Sequence, residues 1–169
     1  LVVLECASQF PEKIKSIGLM GGAAAIPMNP ELLDLAEKGD PKAVELMMDW
    51  AHGPAGHFGG HPVPGLHHMN LGGSIVINGS VKNALGVDFR ACDNYKNGFD
   101  AAQKIKCPAI NILGDRDRMC PVKAGKKLAE HIKNSEVEII ENCGHMILLE
   151  EAGQSLEILK KFIRKNHPA

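Results

Sequence analysis

The chain has 169 residues, which is enough for one domain with a buried core. Its formal net charge is −1, its lysines and arginines are scattered, and 4% of its residues are aromatic, so we expect no nucleic-acid partner. No apolar run approaches the roughly 20 residues that a helix needs to span a bilayer, so we expect no membrane partner either.

The cysteines indicate a reducing compartment. Their number is odd and no two of them form a C-x-x-C pair, which argues against a disulfide framework and against a zinc site. We therefore predict reduced thiols in a cytoplasmic protein that needs no metal or cofactor. The five cysteines are Cys6, Cys92, Cys107, Cys120 and Cys143.

Residues 1–26 predict a helix, a strand and a turn. Residues 1–10 are typical of the middle of a helix, with no N-cap before them and no features of a signal peptide, so we expect the chain to be a fragment. Residues 13–20 predict a strand, and the small residues 21–25 predict a turn at its carboxyl end. Such a turn either leaves space for a ligand or packs closely on its neighbours.

Residues 27–104 predict a helical cap inserted into the core. Two helices are expected at 29–38 and 40–51, because Asn29 and Asp40 are good N-caps and a proline follows each of them. Two weaker helices are expected at 74–85 and 88–98. The core would then consist of residues 1–26 and 105–169.

The segment 52–71 of this cap is rich in glycine and proline and contains five histidines. A metal site is one interpretation, but no zinc-type spacing occurs and no carboxylate or thiolate is interleaved, so a mobile lid loop is favoured. Met47, Met48 and Trp50 on the preceding helix could line an adaptable apolar pocket. The same spacing is also typical of an ordinary core.

Residues 107–146 carry the most informative pattern of the chain. A buried strand at 109–113 ends in the turn G-D-R-D, and a second strand at 137–140 ends in a turn that contains His145. Ligands and catalytic groups gather beyond the carboxyl ends of parallel strands. An acid and a histidine in these turns can act as an orienting acid and a general base.

Helices are expected after each of these strands, at 122–133 and 150–164. Strands that alternate with helices indicate an α/β fold with a short parallel sheet of about three strands.

In this arrangement the sequence resembles the α/β-hydrolase fold family. The resemblance is carried by Gly114, Asp117 and Pro121, in the pattern G-x-x-D-x-x-x-P, and by Gly144-His145 followed by Leu149-Glu150. It extends over the whole chain in order, and the predicted cap lies where that family inserts its own.

The resemblance implies a catalytic triad in the order nucleophile, acid, histidine. Asp117 would be the acid and His145 the base. Asp115 competes for the role of acid, and the family pattern favours Asp117. A turn residue that bonds to the backbone remains the alternative for Asp115, and a histidine simply packed at a strand end remains the alternative for His145.

The chain departs from the family in one respect, because no G-x-S-x-G motif occurs in it. Ser74 and Ser80 lack the second glycine and lie in the predicted cap. The resemblance places the nucleophile before Leu1, so we expect the 169 residues alone to be nearly inert. The strand at 13–20 would then have an uncovered edge, which predicts a homo-oligomer formed through that edge.

The leading hypothesis is therefore the C-terminal part of an α/β-hydrolase that acts on a small apolar ester or a related acyl or C–C bond substrate. Esterase, haloperoxidase, epoxide hydrolase, lyase and acyltransferase chemistry all remain open, because the nucleophile distinguishes them. A non-catalytic ligand-binding module of the same fold is the second hypothesis, and a metal-binding histidine loop is the third.

Overall fold

The computed structural model describes residues 1–57, 68–79 and 83–168. Its sheet confirms the predicted α/β fold. Three parallel strands, β1 (Ile17–Met20), β2 (Ala109–Gly114) and β3 (Ser135–Ile140), lie side by side in that order. Ala109 of β2 is aligned with Ile17 of β1 on one side and with Ser135 of β3 on the other.

The helices lie on both faces of this sheet and in the segment between β1 and β2. In chain order, those of the described residues are α1 (Val2–Gln9), α2 (Pro30–Lys38), α3 (Pro41–Ala51), α4 (Pro54–His57), α5 (His68–Ile77), α6 (Ala84–Asn94), α7 (Gly98–Lys104), α8 (Val122–Ala129), α9 (Ile147–Glu150) and α10 (Ala152–Asn166).

Each face of the sheet has its own apolar cluster. Every residue of β2 is buried, as expected for a central strand covered on both sides. On one face Ile110 and Ile112 pack with Phe162 of α10. On the other face Ala109 packs with residues of α1, α7 and α8, among them Leu4 and Leu128.

The predicted starts of α2 and α3 are confirmed by their caps. The Asn29 side chain accepts the N–H groups of Glu31 and Leu32, at 2.9 and 3.1 Å, and Asp40 accepts that of Lys42 at 2.9 Å. Each cap satisfies backbone donors that the first turn of a helix leaves unpaired.

Helices α2, α3 and α6 share a third apolar cluster, separate from the two sheet clusters. Met47 and Trp50 pack into this cluster, which accounts for them as core residues of the helical segment. Helix α7 behaves differently, because Ala101 and Ala102 are fully buried in the cluster that contains α1. The boundary of the cap at residue 104 stays a prediction, and this packing places α7 on the core side.

The two helices expected at 74–85 and 88–98 were wrongly placed, since the structure has α5, α6 and α7 in this region. The helix α5 ends at Ile77, and the side-chain amide of the next residue, Asn78, donates to the carbonyl oxygen of Ser74. Asn83 then adopts a left-handed φ of 59°, which a continuous helix does not allow. The lid-loop prediction for 52–71 falls largely on residues 58–67, which lie outside the described residues.

Among the residues that the structure describes, no helix is both long and apolar enough to cross a membrane.

Candidate active site

The turn after β2 holds the carboxylate of Asp117 in a fixed orientation. Its side chain is fully buried, and Oδ1 accepts the backbone N–H groups of Met119 at 2.8 Å and Cys120 at 2.7 Å. Two hydrogen bonds from the backbone fix the orientation of this carboxylate. Because Oδ1 already accepts these two N–H groups of the turn, Oδ2 is the oxygen that can contact a group outside the turn.

His145, in the turn after β3, lies against that oxygen. Its Nδ1 is 2.8 Å from Asp117 Oδ2, and 28% of the histidine side chain is exposed. An ionised carboxylate can only accept, so the neutral imidazole carries its proton on Nδ1 and leaves Nε2 able to take one. The two turns thus bring together an oriented acid and a partly exposed base, 28 residues apart in sequence.

Asp115 has a different environment. Its Oδ1 accepts the N–H of Cys143 at 3.3 Å, and its Oδ2 is 3.6 Å from Nε of Arg116. The bond to Cys143 joins the turn after β2 to the turn after β3. The structure therefore places Asp117, and not Asp115, against the histidine.

The small-residue turn after β1 packs directly against the pair. Gly21 has a left-handed φ of +61°, and a Cβ there would lie 2.7 Å from His145 Cε1 and Nδ1 and 3.1 Å from Asp117 Oδ2. Only glycine combines this backbone conformation with this lack of volume. Of the two alternatives for the turn, close packing describes Gly21.

Asn111 holds this turn in place through side-chain hydrogen bonds, a role that was not predicted from the sequence. It is only 1% exposed, and it accepts the N–H of Gly22 at 3.2 Å while donating to the carbonyl oxygens of Gly22 at 2.9 Å and Gly125 at 3.2 Å. An amide in an otherwise apolar buried strand is the signal that could have found it, because buried polar groups need partners.

Glu150 enters the sequence analysis only as part of a motif, and the structure gives it a specific set of contacts. Its carboxylate accepts the N–H groups of Gly53 at 2.7 Å, Gly144 at 3.1 Å and Met146 at 3.2 Å. Gly144 and Met146 are the two neighbours of His145 in the chain.

The thiols closest to the acid turn are poorly suited to nucleophilic attack. Burial, together with the carboxylate of Asp117, raises the pKa of Cys120 to about 12. Burial, with smaller effects of nearby carboxylates led by Glu150, raises the pKa of Cys143 to about 12 as well. The thiolate is the reactive form of cysteine, so neither is activated at neutral pH. All five cysteines are unpaired with one another.

Two serines of the described residues contact other groups. Ser155 donates to the carbonyl oxygen of Ala152 at 3.1 Å, and Ser16 lies 3.1 Å from His167 Nε2. Ser80 falls outside the described residues. In the part of the chain that the structure describes, no group of three or more His, Cys, Asp or Glu side chains could hold a metal ion.

A cavity of about 440 Å³ lies between the acid turn and the segment that follows α3. Its lining is mostly ionisable, in contrast to the apolar pocket expected near Met47 and Trp50. The lining residues are His52, Gly53, Pro54, His57, Asp115, Arg116, Asp117 and Arg118.

No protein-family model matches the chain. A relative from Bos taurus named monoacylglycerol lipase ABHD6 is 38% identical over 64 residues, which are 38% of this chain and 19% of that protein. The chain thus spans about a fifth of the length of this curated relative.

Solved structures match over more of the chain. A thermophilic esterase is 26% identical with a TM-score of 0.71, over 94% of this chain and 60% of that one. The enzyme MGS-M2, described as an alpha/beta hydrolase from a deep-sea metagenome library, is 19% identical with a TM-score of 0.73, over 96% of this chain and 60% of that one.

Proposed function

We propose that this chain, which has the fold of part of an α/β-hydrolase, supplies Asp117 and His145 as the acid and the base of a hydrolase catalytic triad. The observation that carries the proposal is the 2.8 Å contact between a fully buried carboxylate and a histidine that keeps 28% of its side chain exposed. A structural ion pair would need neither the fixed carboxylate nor a partly exposed imidazole.

In the proposed mechanism His145 Nε2 takes the proton of the nucleophile as it attacks the substrate carbonyl. Asp117 keeps the imidazole in the required tautomer and stabilises the imidazolium that forms. His145 then returns the proton to the leaving group, and the same steps with water release the acyl product.

We place the nucleophile and the oxyanion hole outside these 169 residues. The supporting facts are that no G-x-S-x-G motif occurs in the sequence and that burial raises the pKa of Cys120 and Cys143. Without both groups the isolated chain should show little catalysis, because covalent attack and oxyanion stabilisation act together.

The proposed substrate is a small apolar ester, or a related substrate with an acyl or C–C bond to be cleaved. The names of the similar proteins, a monoacylglycerol lipase and an esterase, support ester chemistry. The segment 27–104 would serve as the cap over the substrate, in a cytoplasmic enzyme without a metal or cofactor.

The first test is an assay of the chain on short-chain nitrophenyl esters, with His145→Ala and Asp117→Ala as controls. We expect no turnover above background. In a parent protein that carries the nucleophile, His145→Ala should lower kcat/KM by at least about 10³-fold. Turnover by the isolated chain that disappears in both variants would contradict the placement of the nucleophile. An unchanged kcat/KM in the parent variant would contradict the role of His145.

A non-catalytic ligand-binding module is the second candidate, and the absence of a G-x-S-x-G motif favours it. It predicts that the parent protein binds apolar esters without hydrolysing them. Binding that survives in His145→Ala, with no turnover in the unmodified parent, would select this candidate.

A further inference from the structure

The carboxylate of Glu150 connects two segments that are far apart in the sequence. Its Oε2 accepts the N–H of Gly53, 97 residues away, at 2.7 Å, and that of Gly144 at 3.1 Å. Its Oε1 accepts the N–H of Met146 at 3.2 Å. Both neighbours of His145 are therefore bonded to the same side chain as Gly53, which lies just beyond the end of α3.

Backbone packing at this point leaves no space for adjustment. A Cβ on Gly53 would lie 2.8 Å from both Gly144 N and Glu150 Oε2. A Cβ on Gly144 would overlap Gly53 N and would lie 2.8 Å from Glu150 Oε1. The backbones of Gly53 and Gly144 are therefore in direct contact, and the Glu150 carboxylate accepts a hydrogen bond from each of them.

A second set of bonds runs between the same two segments. The carbonyl oxygen of Ala51, the last residue of α3, accepts the N–H of His145 at 2.7 Å and shares the N–H of Met146 at 3.1 Å. The turn that carries the histidine is consequently held by the end of α3 through a carbonyl oxygen, and by Glu150 through a charged acceptor. Hydrogen bonds to an ionised acceptor are stronger than those between neutral groups.

We propose that Glu150 is a positioning residue for His145: it ties the histidine turn to the end of α3 and so keeps the imidazole against Asp117. This inference rests on the proposed function in that His145 is taken as the base. It goes further in naming the group that holds the base in place and the helix to which it is held. In a parent enzyme the loss of Glu150 should lower kcat with little change in KM.

The test uses the 169-residue chain and two variants, Glu150→Ala and Glu150→Gln, with Glu151→Gln as the matched control. Glu151 is the neighbouring acidic residue, and its backbone N–H donates to the carbonyl oxygen of Ile147. The readouts are amide hydrogen exchange at Gly53 and Gly144, and the ¹⁵N chemical shifts of the His145 ring. The ring shifts report which nitrogen carries the proton.

In Glu150→Ala we expect exchange at Gly53 and Gly144 to accelerate at least about tenfold, because both N–H groups lose a charged acceptor. The His145 ring shifts should move toward the average of the two neutral tautomers as the bond to Asp117 loosens. In Glu150→Gln the amide has a single oxygen, so three N–H groups cannot all be accepted, and smaller changes in the same direction are expected. Glu151→Gln should match the unmodified chain.

Ring shifts that stay unchanged in a folded Glu150→Ala variant with accelerated exchange would overturn the proposal, because Glu150 would then be structural only. If circular dichroism shows that Glu150→Ala does not fold, Glu150→Gln decides. Unchanged exchange and ring shifts in that variant would overturn the proposal, and the smaller changes stated above would support it. Neither readout depends on ester turnover, so failure here is distinct from failure of the proposed hydrolase activity.

Discussion

Gly21 is the residue whose replacement tests most directly how tightly the His145–Asp117 pair is enclosed. Alanine at a left-handed φ costs about 1–2 kcal/mol, and overlap with the imidazole adds about 1–3 kcal/mol more. We therefore expect Gly21→Ala to lower the free energy of unfolding by about 2–5 kcal/mol. Urea denaturation measures this change.

The matched control for that variant is Gly39→Ala, because Gly39 has a φ of +70° and a Cβ added there would meet no atom within 4 Å. It should show the backbone cost alone. Equal destabilisation in the two variants would mean that the site yields to an added methyl group. The His145 ring would then be less confined than the packing at Gly21 implies.

The turns after β2 and β3 could be predicted from local signals, whereas the choice of Asp117 over Asp115 depends on the family resemblance. Their closeness follows from a rule about parallel sheets, since the carboxyl ends of adjacent strands share one edge. The sequence around Asn111 and Glu150 does not show which groups these side chains bind. One partner of each, Gly22 for Asn111 and Gly53 for Glu150, lies 89 and 97 residues away, so these roles depend on a tertiary arrangement that a local pattern does not contain.

At the scale of elements, α1 is joined to the segment between α6 and α7 through Glu5. Its carboxylate accepts hydrogen bonds from Asn97 at 2.9 Å, Tyr95 at 2.7 Å and Gln9 at 2.8 Å. These bonds lower the pKa of Glu5 to about 2, with Asn97 contributing most. The ionised carboxylate therefore links the helical segment to a helix that packs on the sheet.

This link predicts an acid-sensitive contribution to stability. Because the pKa of Glu5 is depressed in the folded state, its contribution is fully present above about pH 4.5 and is lost as the pH falls toward 2. Glu5→Gln should therefore lower stability at pH 6 and flatten its pH dependence between these values, as thermal unfolding can measure. Glu12→Gln, at an exposed carboxylate, is the control. Identical pH profiles for Glu5→Gln and the unmodified chain would contradict the prediction.

The starts of α2 and α3 were predicted correctly from strong local signals, and the limits of α5 and α6 were not. Asn29 and Asp40 mark their helices because a cap side chain bonds within three residues. The limits of α5 and α6 depend instead on Asn78 and on the left-handed Asn83. Asparagine occurs in helices, caps and turns alike, so its presence does not mark the end of a helix. The pattern of apolar residues alone therefore predicts a helix that continues through Asn78 and Asn83.

At the scale of the whole molecule, the free edge of β1 is the feature that most affects association. In the described residues β1 pairs with β2 on one side, and the order β1-β2-β3 places it at the end of the sheet. Helices that pack on the sheet expose apolar side chains, since Val2 of α1 is 76% exposed, and Leu156 and Ile163 of α10 are 50% and 51% exposed. An unpaired strand edge and exposed apolar side chains each favour association.

We accordingly predict that the 169-residue chain forms a dimer or larger homo-oligomer through this edge. Leu156→Lys should shift the chain toward the monomer, because a charge would be buried against the partner copy. Val87→Lys is the matched control, since Val87 is 63% exposed on α6, in the helical segment. Sedimentation velocity over a range of concentrations measures both. A monomeric unmodified chain would contradict the prediction, and equal dissociation in the two variants would place the interface elsewhere.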